Sequence, residues 1–410
     1  MRHIRMSSPD LSGDELAVVA DVLKSADLSL GPRIVEFERR FATFIGAPHA
    51  AGVSSGTAAL HLAMIAGGVG DGDLVITTPF SFVASANCVL YQRATPVFVD
   101  VDPVTGNIDP TLVDEAVADL TSGRGRSRGW ERSLRSVSSV RERLKALLPV
   151  HAFGQPADMD PLIDLARTHQ LSLVEDACEA IGALYKGRRV GTLGDAAAFA
   201  FYPNKQMTTG EGGMLTTRHE GWDKLFRSLR NQGRDVFDAW LTHSRLGYNY
   251  RLNELSAALG VAQLSRIDEL LAKRARVASW YTERLITQEG LQTPVLASTT
   301  TRMSWFVYVV RLDVELDRRT VMASLAERGI PTRPYFEPIH LQPFYVEQFG
   351  YRRGDFPVAE LLGDTCLALP FSATMTEDDV SYVCDQLAEV IDRQLAHDRV
   401  AFQSRRLHVS

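Results

Sequence analysis

Short apolar runs alternate with helical patterns along the first half of the chain. The runs at 74–77, 96–100, 146–150, 171–176 and 196–201 are four to six residues long and rich in Val, Leu, Ile, Phe and Ala. Runs of this length predict buried strands, and helical patterns lie between several of them. Strand–helix alternation is typical of a mostly parallel sheet with helices on both faces. The predicted fold class is therefore α/β.

The rest of the chain predicts a second, smaller domain. A long helical pattern at about 252–288 is followed by a strand pattern at 305–313 and further helical patterns up to residue 395. A single core seldom grows beyond about 250–300 residues, so 410 residues favour two domains. We expect three parts: a large domain at 30–275, a small α+β domain at 276–410, and an N-terminal segment at 1–29 that joins the small domain.

The segment 121–143 differs in composition from the rest. Gly, Ser and Arg dominate it, and from Arg124 to Arg143 it holds seven Arg and two Glu. This composition predicts a surface insertion rather than a core element. Two interpretations stay open. The favoured one is a solvated insertion, and the other is an arm that attracts an anion such as a substrate phosphate.

Charge and cysteine usage argue against several classes of protein. The net charge of −6 does not favour a nucleic-acid partner. The stretch 46–70 holds no Lys, Arg, Asp or Glu but is broken by Gly, Ser, Pro and His, so we expect no membrane span. The N-terminus turns acidic within 15 residues and lacks an apolar core segment, so we expect no signal peptide. The four cysteines are far apart and form no CxxC pair, which predicts neither a metal site nor a disulfide framework. We therefore expect a cytoplasmic protein.

Three segments carry candidate chemistry. In VSSGTAALHLA, Gly56 and Thr57 begin a helix whose free N–H groups can hold a phosphate. Asp176 ends a predicted strand, where ligand sites of open α/β sheets lie, and a buried carboxylate there needs a cationic partner such as a pyridinium. Lys205 has no charged neighbour for five residues on either side, which favours an amine nucleophile. Each segment also has a structural explanation: an N-cap, a helix-capping Asp and a surface lysine.

Together these segments resemble the DegT/DnrJ/EryC1/StrS family of pyridoxal 5′-phosphate (PLP) dependent sugar aminotransferases. The resemblance runs over nearly the whole length and includes TTPFSFVASANCV, PVHAFGQPADMD, GEGGM, LGYNYRLNELSAA and RPYFEPIHLQPFY. It implies PLP fold type I, with a mostly parallel central sheet flanked by helices in the large domain and a smaller α+β C-terminal domain. It also implies a homodimer with shared active sites.

The resemblance assigns roles to residues around the cofactor. It implies that Lys205 carries PLP as a Schiff base and moves the proton during catalysis. Asp176 would pair with the pyridine nitrogen, Gly56 and Thr57 would hold the phosphate, and Phe82 would stack on the ring.

Further residues are implied at the edge of the site. Asn249 would reach across from the second subunit to the phosphate. Five residues are candidate substrate neighbours, and three of them have a structural alternative: a satisfied histidine for His151, an ion-pair arginine for Arg251 and a helix-leading glycine for Gly31. The five are Gly31, His151, Arg251, Tyr335 and His340.

Two positions depart from the family pattern. Glu179 stands where the family often has Gln near the cofactor's phenolic oxygen, and a carboxylate beside a phenolate is repulsive unless one holds a proton. We expect either a protonated Glu179 or a Glu179 turned away. Ala200 stands where a phosphate-binding Ser is usual, five residues before Lys205. One phosphate contact should therefore be missing, or be supplied by water or another backbone group.

The resemblance implies a ping-pong aminotransferase. L-glutamate would give its amino group to PLP, and a keto sugar, nucleotide-linked, would receive it. Relatives that dehydrate sugars carry His at the position of Lys205, so Lys205 favours amino transfer. The alternatives are a cyclitol or an amino-hydroxybenzoate precursor as the acceptor, and a PLP-binding regulatory protein without turnover. The last is disfavoured because Lys205, Asp176 and Asn249 are all present.

Overall fold

A computed structural model describes residues 2–122, 143–235 and 242–407. The Arg-rich segment 121–143 lies outside the described residues except at its ends. Both interpretations of this segment therefore stay predictions. The helices are α1 (Gly13–Lys24), α2 (Pro32–Ile45), α3 (Gly56–Ala66), α4 (Ala84–Leu90), α5 (Pro110–Ser122), α6 (Met159–His169), α7 (Glu220–Arg230), α8 (Glu254–Ser265), α9 (Ile267–Leu285), α10 (Arg318–Glu327), α11 (Pro343–Phe349), α12 (Pro357–Thr365) and α13 (Glu377–Leu407).

The strands are β1 (His49–Val53), β2 (Leu74–Thr77), β3 (Thr95–Phe98), β4 (Leu144–Leu147), β5 (Ser172–Asp176), β6 (Leu184–Tyr185), β7 (Arg188–Arg189), β8 (Ala196–Ala200), β9 (Gly213–Thr217), β10 (Leu291–Gln292), β11 (Thr300–Arg302), β12 (Tyr308–Leu312) and β13 (Cys366–Leu369).

A seven-stranded central sheet has the order β1-β9-β8-β5-β4-β2-β3. The pairs from β8 to β3 are parallel, and β9 runs antiparallel to both of its neighbours. Helices α2, α5, α6 and α8 cover one face, and α3, α4 and α7 cover the other. The prediction of an α/β fold with a mostly parallel sheet flanked by helices is confirmed.

The small domain is built around the antiparallel sheet β10-β12-β13. One face of that sheet packs on α9, α10 and α13 through side chains such as Tyr281, Leu325 and Leu387. The long helical pattern at 252–288 forms two helices, α8 and α9, with a break at Arg266. The domain boundary near residue 275 stays a prediction, because α9 continues across it.

The N-terminal segment divides between the two parts of the molecule. Ile4 packs into the small-domain core, and its N–H donates to the Gly329 carbonyl at 3.0 Å. By contrast, α1 packs along α8, where Glu15 accepts hydrogen bonds from Gln263 and Arg266 at 2.8 and 3.1 Å. The expected grouping of all of 1–29 with the small domain therefore needs correction, since these polar contacts hold α1 to the large domain. Within the described residues, no helix is long and apolar enough to cross a membrane.

A buried ionic cluster holds α2, β1 and α7 together beside the start of α3. Glu38 is 5% exposed and accepts hydrogen bonds from the Gly52 N–H at 2.9 Å, from Arg227 at 2.6 Å and from Arg230. Burial alone disfavours the Glu38 charge, but the Arg230 and Arg227 guanidinium groups outweigh it and lower the pKa of that carboxyl. Removing Glu38 leaves the buried Arg230 without a carboxylate partner among the described residues, whereas Arg227 keeps its ion pair with Asp223 at 2.9 Å.

We expect Glu38→Gln to lower the free energy of unfolding by about 3–5 kcal/mol, because it leaves the buried Arg230 guanidinium without a carboxylate and removes one of the two carboxylates that pair with Arg227. Urea denaturation measures this loss. Glu36→Gln is the control on the same helix, since Glu36 pairs with Arg33 and Arg40 nearer the surface and should cost less than about 1 kcal/mol. Equal losses in the two variants would contradict the role given to the cluster.

Candidate active site

A cavity of about 560 Å³ lies at the carboxyl-terminal ends of the parallel strands. Its wall is formed by the start of α3, the end of β5, the loop after β8 and three aromatic residues from the 306–336 region. Of the residues expected near the cofactor or substrate, the cavity brings together Gly56, Thr57, Phe82, Asp176, Glu179, Lys205 and Tyr335.

The start of α3 offers the cavity free backbone donors. Ser55 is the N-cap, and its hydroxyl accepts from the Ala58 N–H at 3.1 Å. The N–H groups of Gly56 and Thr57 have no acceptor within the helix, as at the start of any helix. A Cβ atom at Gly56 would lie 2.7 Å from the Cβ atom of Ala200, so only glycine lets the helix start approach this strand so closely. Ala200, where the family usually has a phosphate-binding Ser, therefore faces the start of α3.

Asp176 is a buried carboxylate at the end of β5. It is 4% exposed, and it accepts hydrogen bonds from the Ser85 hydroxyl at 2.6 Å and the Cys178 N–H at 3.2 Å. Its hydrogen bonds within the described residues come from these neutral groups and not from a cationic side chain. A buried carboxylate held in this way is suited to a cation that a ligand brings.

Lys205 extends into the cavity from the loop that follows β8. Its Nζ atom lies 3.8 Å from the centroid of the Phe306 ring and 3.5 Å from Oε1 of Glu179. The lysine side chain is 13% exposed, so most of it is out of contact with water. An ammonium in this place is stabilised by the ring face and by the carboxylate.

Glu179 faces the cavity and Lys205. Its second oxygen accepts from the Phe153 N–H at 2.9 Å. Burial raises the pKa of the Glu179 carboxyl above its ordinary value, although the Lys205 ammonium and the Phe153 N–H oppose this effect. We expected Glu179 to be either protonated or turned away from the site, and the structure shows that it is not turned away.

Phe82 and Tyr335 also line the cavity. The Phe82 side chain is 62% exposed, so its ring is open to a ligand or to a second chain. Tyr335 stacks on Phe336 and Phe306, with centroid distances of 5.0 and 6.5 Å, and burial raises the pKa of its hydroxyl.

Asn249 and Arg251 do not line the cavity of their own chain. Asn249 is exposed and pairs with Asn231 through an isolated backbone bridge. Arg251 donates to Oδ1 of Asn231 at 3.1 Å. Their placement at the surface leaves a role in a neighbouring subunit as a prediction.

His151 and His340 also lie outside the cavity, and both are fully buried. Nε2 of His151 lies 3.1 Å from Glu175, and its Nδ1 accepts from the Ala157 N–H at 3.0 Å. Nε2 of His340 lies 3.0 Å from Glu360, and burial lowers the pKa of this imidazole. Both ring nitrogens of His151 are satisfied, which favours a structural role. Full burial and the contact with Glu360 favour the same role for His340, whose Nδ1 has no hydrogen-bond partner among the described residues.

Gly31 likewise has a structural explanation. The Glu254 carboxylate accepts from the N–H groups of Arg33 and Ile34 at 2.7 and 3.0 Å and so caps α2. A Cβ atom at Gly31 would lie 2.7 Å from this carboxylate.

Ser85 and Phe306 contact the key groups but were not predicted from the sequence. Ser85 orients the Asp176 carboxylate and also exchanges a hydrogen bond with Ser81 at 2.9 Å. A single serine between small residues has no distinguishing spacing. Phe306 comes from a segment more than a hundred residues after Asp176, so its apolar pattern indicates only a strand.

Comparisons with known proteins agree with this arrangement. A sequence profile of the DegT/DnrJ/EryC1/StrS aminotransferase family matches residues 9–388. GDP-perosamine synthase of Caulobacter vibrioides is 39% identical over 392 residues, which cover 95% of this chain and 98% of that protein. The spore coat polysaccharide biosynthesis protein SpsC of Bacillus subtilis is 37% identical over 399 residues, covering 94% and 96%.

A solved structure is similar over the same length. DesV of S. venezuelae, in complex with a ketimine intermediate, is 33% identical and has a TM-score of 0.84, with 95% of this chain and 99% of that chain covered. The fold and the cavity therefore define a PLP-dependent aminotransferase of fold type I. The chain belongs to the DegT/DnrJ/EryC1/StrS aminotransferase family.

The contact between Gly56 and Ala200 leads to a test of the α3 terminus. We expect Gly56→Ala to weaken PLP binding by about tenfold or more, the loss of roughly one charge-assisted hydrogen bond. Gly13→Ala is the matched control, because Gly13 also follows a serine N-cap but has open space around it. Titration of the apoprotein with PLP measures both. Equal affinities in the two variants would exclude the α3 terminus as a phosphate site.

The raised pKa of Glu179 leads to a test of stability against pH. Folding favours the protonated carboxyl, so this stabilisation is present below the ordinary pKa and is lost as the pH rises through the raised one. Glutamine does not titrate. The stability of apo Glu179→Gln relative to the wild type should therefore rise in urea denaturation as the pH increases above the ordinary pKa of this carboxyl, 4.5. A difference that stays constant with pH would contradict a raised pKa.

Proposed function

We propose that this aminotransferase moves the amino group of L-glutamate to a keto sugar, nucleotide-linked, by a ping-pong mechanism in which Lys205 holds PLP. The observation that carries the proposal is one cavity that presents a buried amine, a buried carboxylate held by neutral donors and a helix start with free N–H groups. The name of the relative GDP-perosamine synthase supports a nucleotide-linked substrate.

The residues of the cavity fit PLP in three places. The N–H groups of Gly56 and Thr57 and the Thr57 hydroxyl suit its phosphate. Asp176 suits its pyridinium nitrogen, because the carboxylate is buried and lacks a cationic partner among the described residues. The exposed ring of Phe82 suits a stacking contact with the cofactor. Ala200 offers no hydroxyl at this site, so one phosphate contact would be missing or would come from water or another backbone group.

PLP supplies an electron sink that makes the proton on the substrate's amine-bearing carbon acidic. Lys205 would take up that proton on Nζ and then deliver it to C4′ of the cofactor. Ser85 keeps the Asp176 carboxylate directed into the cavity, so Asp176 would hold the pyridinium charge in place. The aromatic wall of Phe306, Tyr335 and Phe336 would exclude water from the moving proton.

Glu179 would hold a proton beside the phenolic oxygen of the cofactor. Its raised pKa supports this role, because a neutral carboxyl can donate a hydrogen bond where a carboxylate would repel. The same carboxyl lies 3.5 Å from Nζ of Lys205, and a positive charge on that amine opposes the protonation of Glu179.

We propose a homodimer with shared active sites. Asn249 is exposed and does not line its own cavity, which supports its use by a second subunit. We place the enzyme in the cytoplasm, since the four cysteines are free and suit a reducing compartment.

An assay of both half-reactions tests the activity. The holoenzyme should release 2-oxoglutarate from L-glutamate and then aminate keto sugar nucleotides in preference to the same keto sugars without a nucleotide. Lys205→Arg should be slower by about a thousandfold or more, because its side chain keeps the charge but cannot bind PLP covalently. Lys224→Arg, at a surface ion pair with Glu220, is the control.

Two results would refute parts of this proposal. Wild-type turnover in Lys205→Arg would refute the role of the lysine. Equal rates with free and nucleotide-linked keto sugars would refute the substrate class.

Mixing two inactive variants tests the shared site. If Asn249 serves the neighbouring subunit, Lys205→Ala and Asn249→Ala chains should together regain about a quarter of wild-type activity, since about half the dimers are mixed and each has one intact site. The measurement is activity after mixed refolding or co-expression. No recovery, with mixed dimers present, would mean that Asn249 does not act across the interface.

A further inference from the structure

Arg274 is a buried cation at the junction of the two domains. It lies on α9 and is 2% exposed, and burial lowers the pKa of its guanidinium to about 9. Its hydrogen bonds within the described residues go only to backbone carbonyl oxygens. Burying a charge without a counter-ion costs several kcal/mol, so packing alone would favour an apolar side chain at this position.

The three carbonyl groups belong to two segments that meet at Lys205. Nε of Arg274 donates to the Trp305 carbonyl at 2.7 Å, and Nη2 donates to the Phe306 carbonyl at 2.7 Å. Nη2 also donates to the carbonyl of Asn204 at 3.1 Å. One guanidinium therefore joins the residue before Lys205 to the residue whose ring contacts Nζ.

Gln206 makes a corresponding connection on the other side of Lys205. Its Nε2 donates to the Ser304 hydroxyl at 2.8 Å and carbonyl at 3.1 Å, and to the Glu179 carbonyl at 2.5 Å. Both chain neighbours of Lys205 are thus tied to residues 304–306. The Phe306 ring, 3.8 Å from Nζ, is carried by this same segment.

We propose that Arg274 is a positioning residue for the aminotransferase reaction, which sets the place of Nζ of Lys205 through the Asn204 and Phe306 carbonyl groups. This inference rests on the proposed role of Lys205. A lysine has a flexible four-carbon stem, so the position of its amine depends on the backbone and on the ring beside it. An error of about 1 Å in a reacting group can cost about a hundredfold in rate.

The planar guanidinium is suited to this task. It presents donors in several fixed directions, whereas a lysine ammonium is a single point at the end of a flexible stem. Arg274→Lys therefore keeps the charge and loses the simultaneous contact with all three carbonyl groups. Arg274→Met keeps a long side chain and loses every donor.

The experiment compares these two holoenzyme variants with Arg284→Met. Arg284 lies on the same helix and donates to Trp280, Ser381 and Glu377, none of which lines the cavity. For each protein we would measure kcat in the presence of a keto sugar nucleotide that accepts the amino group, with L-glutamate and with α-deuterated L-glutamate as the donor, together with the Kd of PLP and the melting temperature. The deuterium isotope effect reports directly on the proton that Lys205 moves, and a general loss of stability does not change it.

We expect Arg274→Met to lower kcat by about 10- to 100-fold and to raise the isotope effect, because proton transfer becomes more rate-limiting. The Kd of PLP should stay within about threefold, since the phosphate and pyridinium contacts are intact. Arg274→Lys should show an intermediate rate, and Arg284→Met the isotope effect of the wild type. If Arg274→Met does not fold, Arg274→Lys is judged by the same two measurements.

Equal kcat and the wild-type isotope effect in the Arg274 and Arg284 variants would overturn the inference and leave Arg274 a structural residue. A Lys205→Ala variant separates this result from a failure of the proposed function. If Lys205→Ala keeps the rate and isotope effect of the wild type, Lys205 does not move the proton, and both proposals fall together. If it is inactive while the Arg274 variants match the control, the inference about Arg274 fails alone.

Discussion

The structure around the cavity depends on one buried carboxylate. Asp176 ends β5, which lies inside the central sheet between β4 and β8, so its side chain emerges where water has little access. A charge in such a place is costly unless donors and a cation compensate it. The Ser85 hydroxyl and the Cys178 N–H supply the donors. Among the described residues no cationic side chain pairs with Asp176, and this supports our proposal that a pyridinium binds at this edge of the sheet. The parallel strands bring the start of α3 and the loop of Lys205 to the same edge.

The second constraint is the junction between the domains. Phe306, Tyr335 and Phe336 close the cavity over Lys205, and they come from the last third of the chain. A second contact holds the small domain to the large one at the start of α12. The carboxylate of Asp100, which lies in the large domain, accepts hydrogen bonds there from the Val358 and Ala359 N–H groups at 2.9 and 2.8 Å. The wall of the cavity is therefore complete only when both domains are folded and docked.

Apolar runs predicted five of the central strands, because buried parallel strands need side chains that are apolar on both faces. The strands β1 and β9 were not predicted, since HAAGV and GMLTT contain few large apolar residues. The isolation of Lys205 from other charges favoured an amine nucleophile over a surface lysine, and its side chain is only 13% exposed. The sequence could not show whether His151 and His340 contact a substrate or a buried carboxylate. Their partners, Glu175 and Glu360, are 24 and 20 residues away along the chain, so only the fold brings them together. Glu179 was recognised as unusual, but only the fold directs it to Lys205.

The central claim is that Lys205 is the residue that binds PLP covalently. The most direct measurement is to reduce the holoenzyme with borohydride, digest it and map the pyridoxyl group by mass spectrometry. The account predicts the modification on the peptide that contains Lys205, close to one group per chain, and none on that peptide without added borohydride. A pyridoxyl group on another lysine, or none at all on protein loaded with PLP, would contradict the account.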